Sequence, residues 1–121
     1  MKKVACLLIV CMLLFGQNLF AHPGSRIDTG YDKNTMMLDA VVYHNVKNPK
    51  NHFIDRVTVS ANGNVIIEQF FGEQDNNETQ TVSYRVPSLS KDDKIEVRAY
   101  CNREGNVKAE VMVEETLKMM E

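Results

Sequence analysis

The sequence predicts an all-β domain, an antiparallel sandwich of about seven strands. Three observations predict it. Beyond residue 21 the chain consists of short segments rich in β-branched and aromatic residues, separated by polar clusters that carry Gly, Pro, Asn or Asp. Inside those segments apolar and polar residues alternate with a period of two, which turns one set of side chains toward an inner face. The whole chain has 121 residues, 44% of them hydrophobic, with no internal repeat or low-complexity tract. That is enough for one modest core and gives no sign of a second domain.

The elements follow in order. Residues 26–31 suit a short edge strand, and Asp32-Lys33-Asn34 reads as a turn. Residues 37–46 form the first long strand, with Ala40, Val42, His44 and Val46 on one face and Val41 and Tyr43 on the other. Residues 45–51 contain Asn48-Pro49 and read as a loop. Residues 53–60 form the next strand. Asn62-Gly63 then gives a strong hairpin signal, and residues 64–71 return from it. Residues 72–77 are polar and turn-like, and 78–86 form a strand that ends at Pro87. After the Lys91-Asp92-Asp93 turn, residues 94–101 put Ile95, Val97, Ala99 and Cys101 on one face. Residues 102–106 turn, and 107–113 close the fold with Val107, Ala109, Val111 and Val113 inward. The tail from 114 to 121 reads as a frayed helical turn or disordered chain. Seven short strands with turn signals between them define an immunoglobulin-like β-sandwich.

The first 21 residues read differently. Lys2 and Lys3 precede an apolar run from Val4 to Phe15, and Leu19-Phe20-Ala21 offers a small residue for cleavage. This is the pattern of a secretory signal peptide, too short for a comfortable transmembrane helix. Cleavage after Ala21 is the first choice and cleavage after Gly16 the rival. Val10 is large for a lipoprotein site before Cys11, so the expected product is soluble, without a membrane anchor, and periplasmic or secreted, with a lipid anchor as the alternative. The mature chain, residues 22–121, loses two lysines, and its formal charge moves from −2 to −4. It carries no basic stripe, which argues against a nucleic-acid partner. Cys6 and Cys11 leave with the signal and Cys101 stays alone, so no intramolecular disulfide can form.

Alternation of strand direction places the chemistry-bearing residues. Consecutive antiparallel strands put alternate loops at the same end of a sandwich. The loops 45–51, 72–77 and 102–106 therefore share one rim, and the mature terminus at His22 starts near it. All three histidines of the chain, His22, His44 and His52, meet Cys101 and Glu104 at that end. Thiolate with imidazole suits iron, copper or zinc rather than magnesium or calcium. Bland readings stand beside this one. A lone inward cysteine also serves as a small buried hydrophobe, and a histidine at a strand end also serves as a half-buried polar residue. The chain has no nucleophile-elbow glycine motif, no phosphate-cradling loop and no HExxH, so hydrolase readings fare worse.

Two stretches carry a family resemblance. Ala99-Tyr100-Cys101-Asn102-Arg103-Glu104-Gly105 resembles the Tyr-Cys-Asn-x-His-Gly segment of the desulfoferrodoxin and neelaredoxin family, the superoxide reductases. Asn51-His52-Phe53-Ile54 resembles that family's His-Tyr-Ile or His-His-Ile segment, which also leads into a strand. The likeness covers most of residues 37–113. It implies an immunoglobulin-like iron domain that reduces superoxide to hydrogen peroxide at a mononuclear iron held by four histidines and an axial cysteine thiolate. By position, Cys101 matches the axial thiolate and His52 an equatorial imidazole. Val46 stands where the family has a histidine six residues before the one matching His52, and Glu104 stands where it has one after the cysteine. The Glu-Lys pair before the family's early histidine is absent before His22.

The resulting expectation is a metal site built from Cys101, His52, a displaced His44 and His22, with Glu104 either a carboxylate ligand or, as favoured, a surface partner of Arg103 or a lysine. Iron is the first metal, with superoxide or another small oxidant as substrate and an unspecified electron donor. Copper is the alternative. If cleavage follows Ala21, the new α-amino group and the His22 imidazole can chelate one metal together, with His44 or His52 as a further ligand and Pro23 stiffening the chain behind them; an accidental histidine at the cleavage site is the plainer reading. A non-enzymatic metal-carrying or protein-binding module is the remaining alternative, because fold does not fix function.

Overall fold

Among the described residues seven strands form, joined by turns of the residue types that favour turns. A computed structural model describes residues 25–114. The strands are β1 (Arg26–Asp32), β2 (Met37–Tyr43), β3 (Ile54–Ala61), β4 (Asn64–Phe70), β5 (Thr79–Arg85), β6 (Lys94–Cys101) and β7 (Asn106–Met112). They make two sheets, one in the order β1-β2-β5 and one in the order β4-β3-β6-β7. Every pairing is antiparallel. This is the expected immunoglobulin-like β-sandwich. The proposed signal segment, His22 and the tail from residue 115 lie outside the described residues.

The core forms where alternation puts branched side chains on the facing sides of the two sheets. Leu38, Ala40 and Val42 of β2 meet Val57 and Val59 of β3 and Ile95, Val97 and Ala99 of β6, all at most 1% exposed. The β3–β4 connection is the predicted tight hairpin. Asn62 (φ 50°) and Gly63 (φ 88°) both take the left-handed conformation, which two-residue hairpins need and which asparagine and glycine tolerate best.

β2, β4 and β5 are shorter than predicted, β4 and β5 by a residue at one or both ends and β2 by three. The ladder of β2 ends at Tyr43 instead of Val46, because its partner β5 begins only at Thr79. Beyond that point the His44 and Val46 amides still donate, at 2.8 Å each, but to the loop carbonyls of Glu78 and Asn77. Alternation therefore continues through His44, which follows Leu38, Ala40 and Val42 into the interior at 4% exposure, while Val46 is only half-buried.

At the side of the sandwich Tyr84 packs against the core and donates its hydroxyl to Gln69 Oε1 at 2.6 Å. Burial pushes its phenol up from 10.0 to about 12. The unfolded chain then releases this proton near pH 10 and the folded chain only near pH 12. The stabilisation is complete below pH 10 and is lost as pH rises through the folded value. Wild-type protein should show a steeper fall in melting temperature between pH 10 and 12 than Tyr84→Phe, in matched thermal scans.

Candidate metal centre

Three sequence positions deliver three donor side chains to one rim. His44 is the inward residue just after β2. His52 is set just before β3 by a tight turn, in which Asn48 Oδ1 accepts from the Lys50 amide at 3.0 Å and the Asn48 carbonyl accepts from the His52 amide at 3.0 Å. An asparagine followed by proline favours such a turn. Cys101 is the last residue of β6 and pairs with Ile54, the first of β3. Its amide donates to the Gly105 carbonyl at 3.0 Å, closing the turn that Gly105 permits with φ 83°.

Asn102 ties two of these segments together. Its Oδ1 accepts from the Phe53 amide at 3.0 Å, its Nδ2 donates to the Asn51 carbonyl at 3.2 Å, and its own amide donates to the Phe53 carbonyl at 2.9 Å. His52, flanked by those contacts, is held against the cysteine that precedes Asn102. His52 Nε2 lies 3.2 Å from Cys101 Sγ. The His44 and His52 rings meet edge-on, with centroids 4.9 Å apart and planes at 89°. One donor atom from each of His44, His52 and Cys101 lies within 4.8 Å of the other two.

The spacing can be tested against a metal. Bonds of about 2.1 Å to imidazole and 2.3 Å to thiolate, at a right angle, put the two donors roughly 3.1 Å apart. The His52–Cys101 pair already has that separation, although an imidazole–thiol hydrogen bond accounts for the same distance. The donor set is soft and borderline, as transition metals prefer. It therefore fits a mononuclear transition metal with three protein ligands. It does not fit a four-imidazole plane, because the whole chain has only three histidines.

The structure thus brings together Cys101, His52 and His44, three of the four expected ligands, and His22 lies outside the described residues. Glu104 is exposed and outside the three-donor group, yet it lines the same cavity as His44 and Cys101. The favoured ion pair is not found: among the described residues Glu104 makes no salt bridge. That cavity measures ≈ 70 Å³ and is walled on its inner side by Ile54, Ala99 and Val107. A second depression is lined by His52, Lys47 and Arg103 among others.

Sequence reading did not single out Gln74. It sits in the polar loop between β4 and β5 and is 2% exposed. Its Oε1 lies 2.8 Å from His44 Nδ1 and accepts from the Ile54 amide at 3.2 Å. Its Nε2 donates to the carbonyls of His44 and Asn76 at 2.8 and 2.9 Å. Nothing in Gly72-Glu73-Gln74-Asp75 marks one polar residue as the buried one, so only the placement of that loop on the rim was legible.

Fold and site define a β-sandwich that carries a possible two-histidine, one-cysteine metal group at one end. Its architecture is similar to a solved superoxide reductase (neelaredoxin) from Ignicoccus hospitalis, with a TM-score of 0.50 and 13% identity over 75% of this chain and 80% of that one. A second such structure from the same organism gives a TM-score of 0.49 and 13% identity over 74% and 79% of the two chains. A superoxide reductase from Nanoarchaeum equitans gives 0.49 and 20% identity over 76% and 94%. At such identities the first likeness speaks for the fold alone. No protein-family model and no curated protein sequence matches the chain.

Proposed function

We propose that this chain is an exported, mononuclear metal-binding redox domain of superoxide reductase-like fold, with His44, His52 and Cys101 as its protein ligands. The observation that carries the reading is the meeting of one thiol and two imidazoles within 4.8 Å at the rim of that fold. The Tyr100-Cys101-Asn102 segment supports iron as the metal, and the signal-like first 21 residues support export. The step from fold to activity is by analogy.

Bound at this site, iron would supply one electron to superoxide, which takes up two protons and leaves as hydrogen peroxide. The protein's own part is binding and placement. His52 and Cys101 offer adjacent donors, and His44 offers a third from the opposite sheet. Three ligands leave coordination positions for a small molecule. The cavity exceeds the roughly 10–15 Å³ that one water needs by the same measure, so a diatomic molecule fits it, and Glu104 is the one charged side chain among the described residues that line it. In the second depression Lys47 and Arg103 put positive charge near His52 and favour an anionic visitor there.

Copper is the second reading, and the donor count favours it. Two histidines and one cysteine are the set of trigonal copper sites, and the four-imidazole plane of the family is missing. In that case the domain carries the metal without superoxide chemistry. Anaerobic titration of the full chain with Fe(II) and with Cu(I), followed by a superoxide assay of each form, separates the two. Stoichiometric Fe(II) binding with superoxide consumption is the expected result. Binding of Cu(I) alone selects the carrier, and binding of neither metal removes the metal-site reading.

A further inference from the structure

We infer that Gln74 is a positioning residue that presets His44 with its proton on Nδ1, so that Nε2 is the unprotonated ring nitrogen when the imidazole is neutral. The orientation of one amide decides the proton's place. Gln74 contacts two carbonyls, those of His44 and Asn76, and one amide N–H, that of Ile54. Carbonyls only accept and an amide N–H only donates. The NH₂ group of Gln74 must therefore face the carbonyls and its oxygen must face Ile54. Turning the amide over would set its oxygen against two carbonyls and its NH₂ against an N–H, three repulsive contacts in a buried place.

His44 Nδ1 lies 2.8 Å from that same oxygen. An amide oxygen only accepts, so Nδ1 is the donor and carries the hydrogen. The proton position on His44 is thus fixed by backbone groups two steps away, through Gln74. Free neutral histidine in water favours the opposite form, with the proton on Nε2. In the preset form Nε2 of the buried His44 ring bears the lone pair. The partner of one ring nitrogen commonly decides which nitrogen ligates in this way.

Gln74 also fixes position. It holds the His44 carbonyl, the Ile54 amide two residues past His52 and, through its own amide at 3.0 Å, the carbonyl of Pro49 in the turn before His52. One side chain therefore spaces the segment that bears His44 against the segment that bears His52. That Nε2 then serves as the metal donor rests on the reading proposed above, whereas the tautomer does not.

Long-range ¹H–¹⁵N correlation on the metal-free full chain, at a pH where the imidazoles are neutral, tests the inference. His44 is expected in the Nδ1–H form. An Nε2–H spectrum overturns the proposal outright. Gln74→Met keeps the volume and removes both polar functions. It should shift His44 toward the Nε2–H form and weaken Fe(II) binding by about 10–100-fold, the usual effect of losing a partner behind a ligand. Unchanged Fe(II) affinity in a folded Gln74→Met with a shifted tautomer overturns the positioning role. If Gln74→Met fails to fold, the wild-type spectrum still decides the tautomer. An Nδ1–H spectrum in a protein that takes up no metal sustains the tautomer and removes the metal reading instead.

Discussion

Cys101→Ala is expected to weaken Fe(II) binding by at least ~100-fold, beyond the roughly 10–100-fold that follows from losing a residue behind a ligand. The variant isolates the sulfur well. The backbone of Cys101 keeps its pairing with Ile54 and its amide bond to Gly105, because neither uses the side chain. The local interactions lost are the 3.4 Å contact from the Arg103 amide to Sγ and the 3.2 Å contact between Sγ and His52 Nε2, and the side chain is only half-buried. Stability should therefore change by about 1 kcal/mol or less. Cys101→Ser restores an acceptor for Arg103 but not a soft donor, so it should bind Fe(II) as poorly as the alanine variant. Thiolate-to-metal charge-transfer absorption should be absent from both. Wild-type affinity in either variant would remove Cys101 from the ligand set and leave two imidazoles, too few to hold iron firmly.

The parts of this site that were legible in the sequence share a physical reason. β6 was readable to the residue, because the Lys91-Asp92-Asp93 turn marks its start and strict alternation carries Ile95, Val97, Ala99 and then Cys101 inward. Once strand directions alternate, the loops that bear His52, Gln74 and Cys101 must share one end, and no strand order is needed to say so. The displacement of His44 from the family position was legible as a question only. Two residues along a strand preserve the face, so His44 and Val46 both pointed inward by pattern. The structure separates them because the ladder stops at Tyr43 and only His44 remains deep. Gln74 was invisible for a different reason. Its burial comes from filling hydrogen bonds left open by two other segments, and such a role leaves no periodic trace in the loop that supplies it.

Metal binding should also stabilise the fold, by about 4 kcal/mol at a free metal concentration a thousand times the dissociation constant. The donors make this more than a formal linkage. His44 follows β2 of the three-stranded sheet, whereas His52 and Cys101 belong to the ends of β3 and β6 in the four-stranded sheet. A metal held by all three joins the two layers of the sandwich. The metal-free chain is nevertheless expected to be folded, unlike a small zinc module, because its core of Leu38, Ile54, Val57, Val59, Ile95 and Val97 does not depend on the site. Asn102 already holds the His52 segment against Cys101, and Gln74 holds His44 against the start of β3. Binding therefore needs little ordering, and most of its free energy should appear as added stability. Urea unfolding at a series of free Fe(II) concentrations should rise by about 1.4 kcal/mol per decade above the dissociation constant. Chelation should return the protein to its starting stability, and His44→Leu should abolish the slope while leaving a folded sandwich. A slope that survives in His44→Leu would mean that the metal is held within one sheet, by His52 and Cys101 without the bridge between layers.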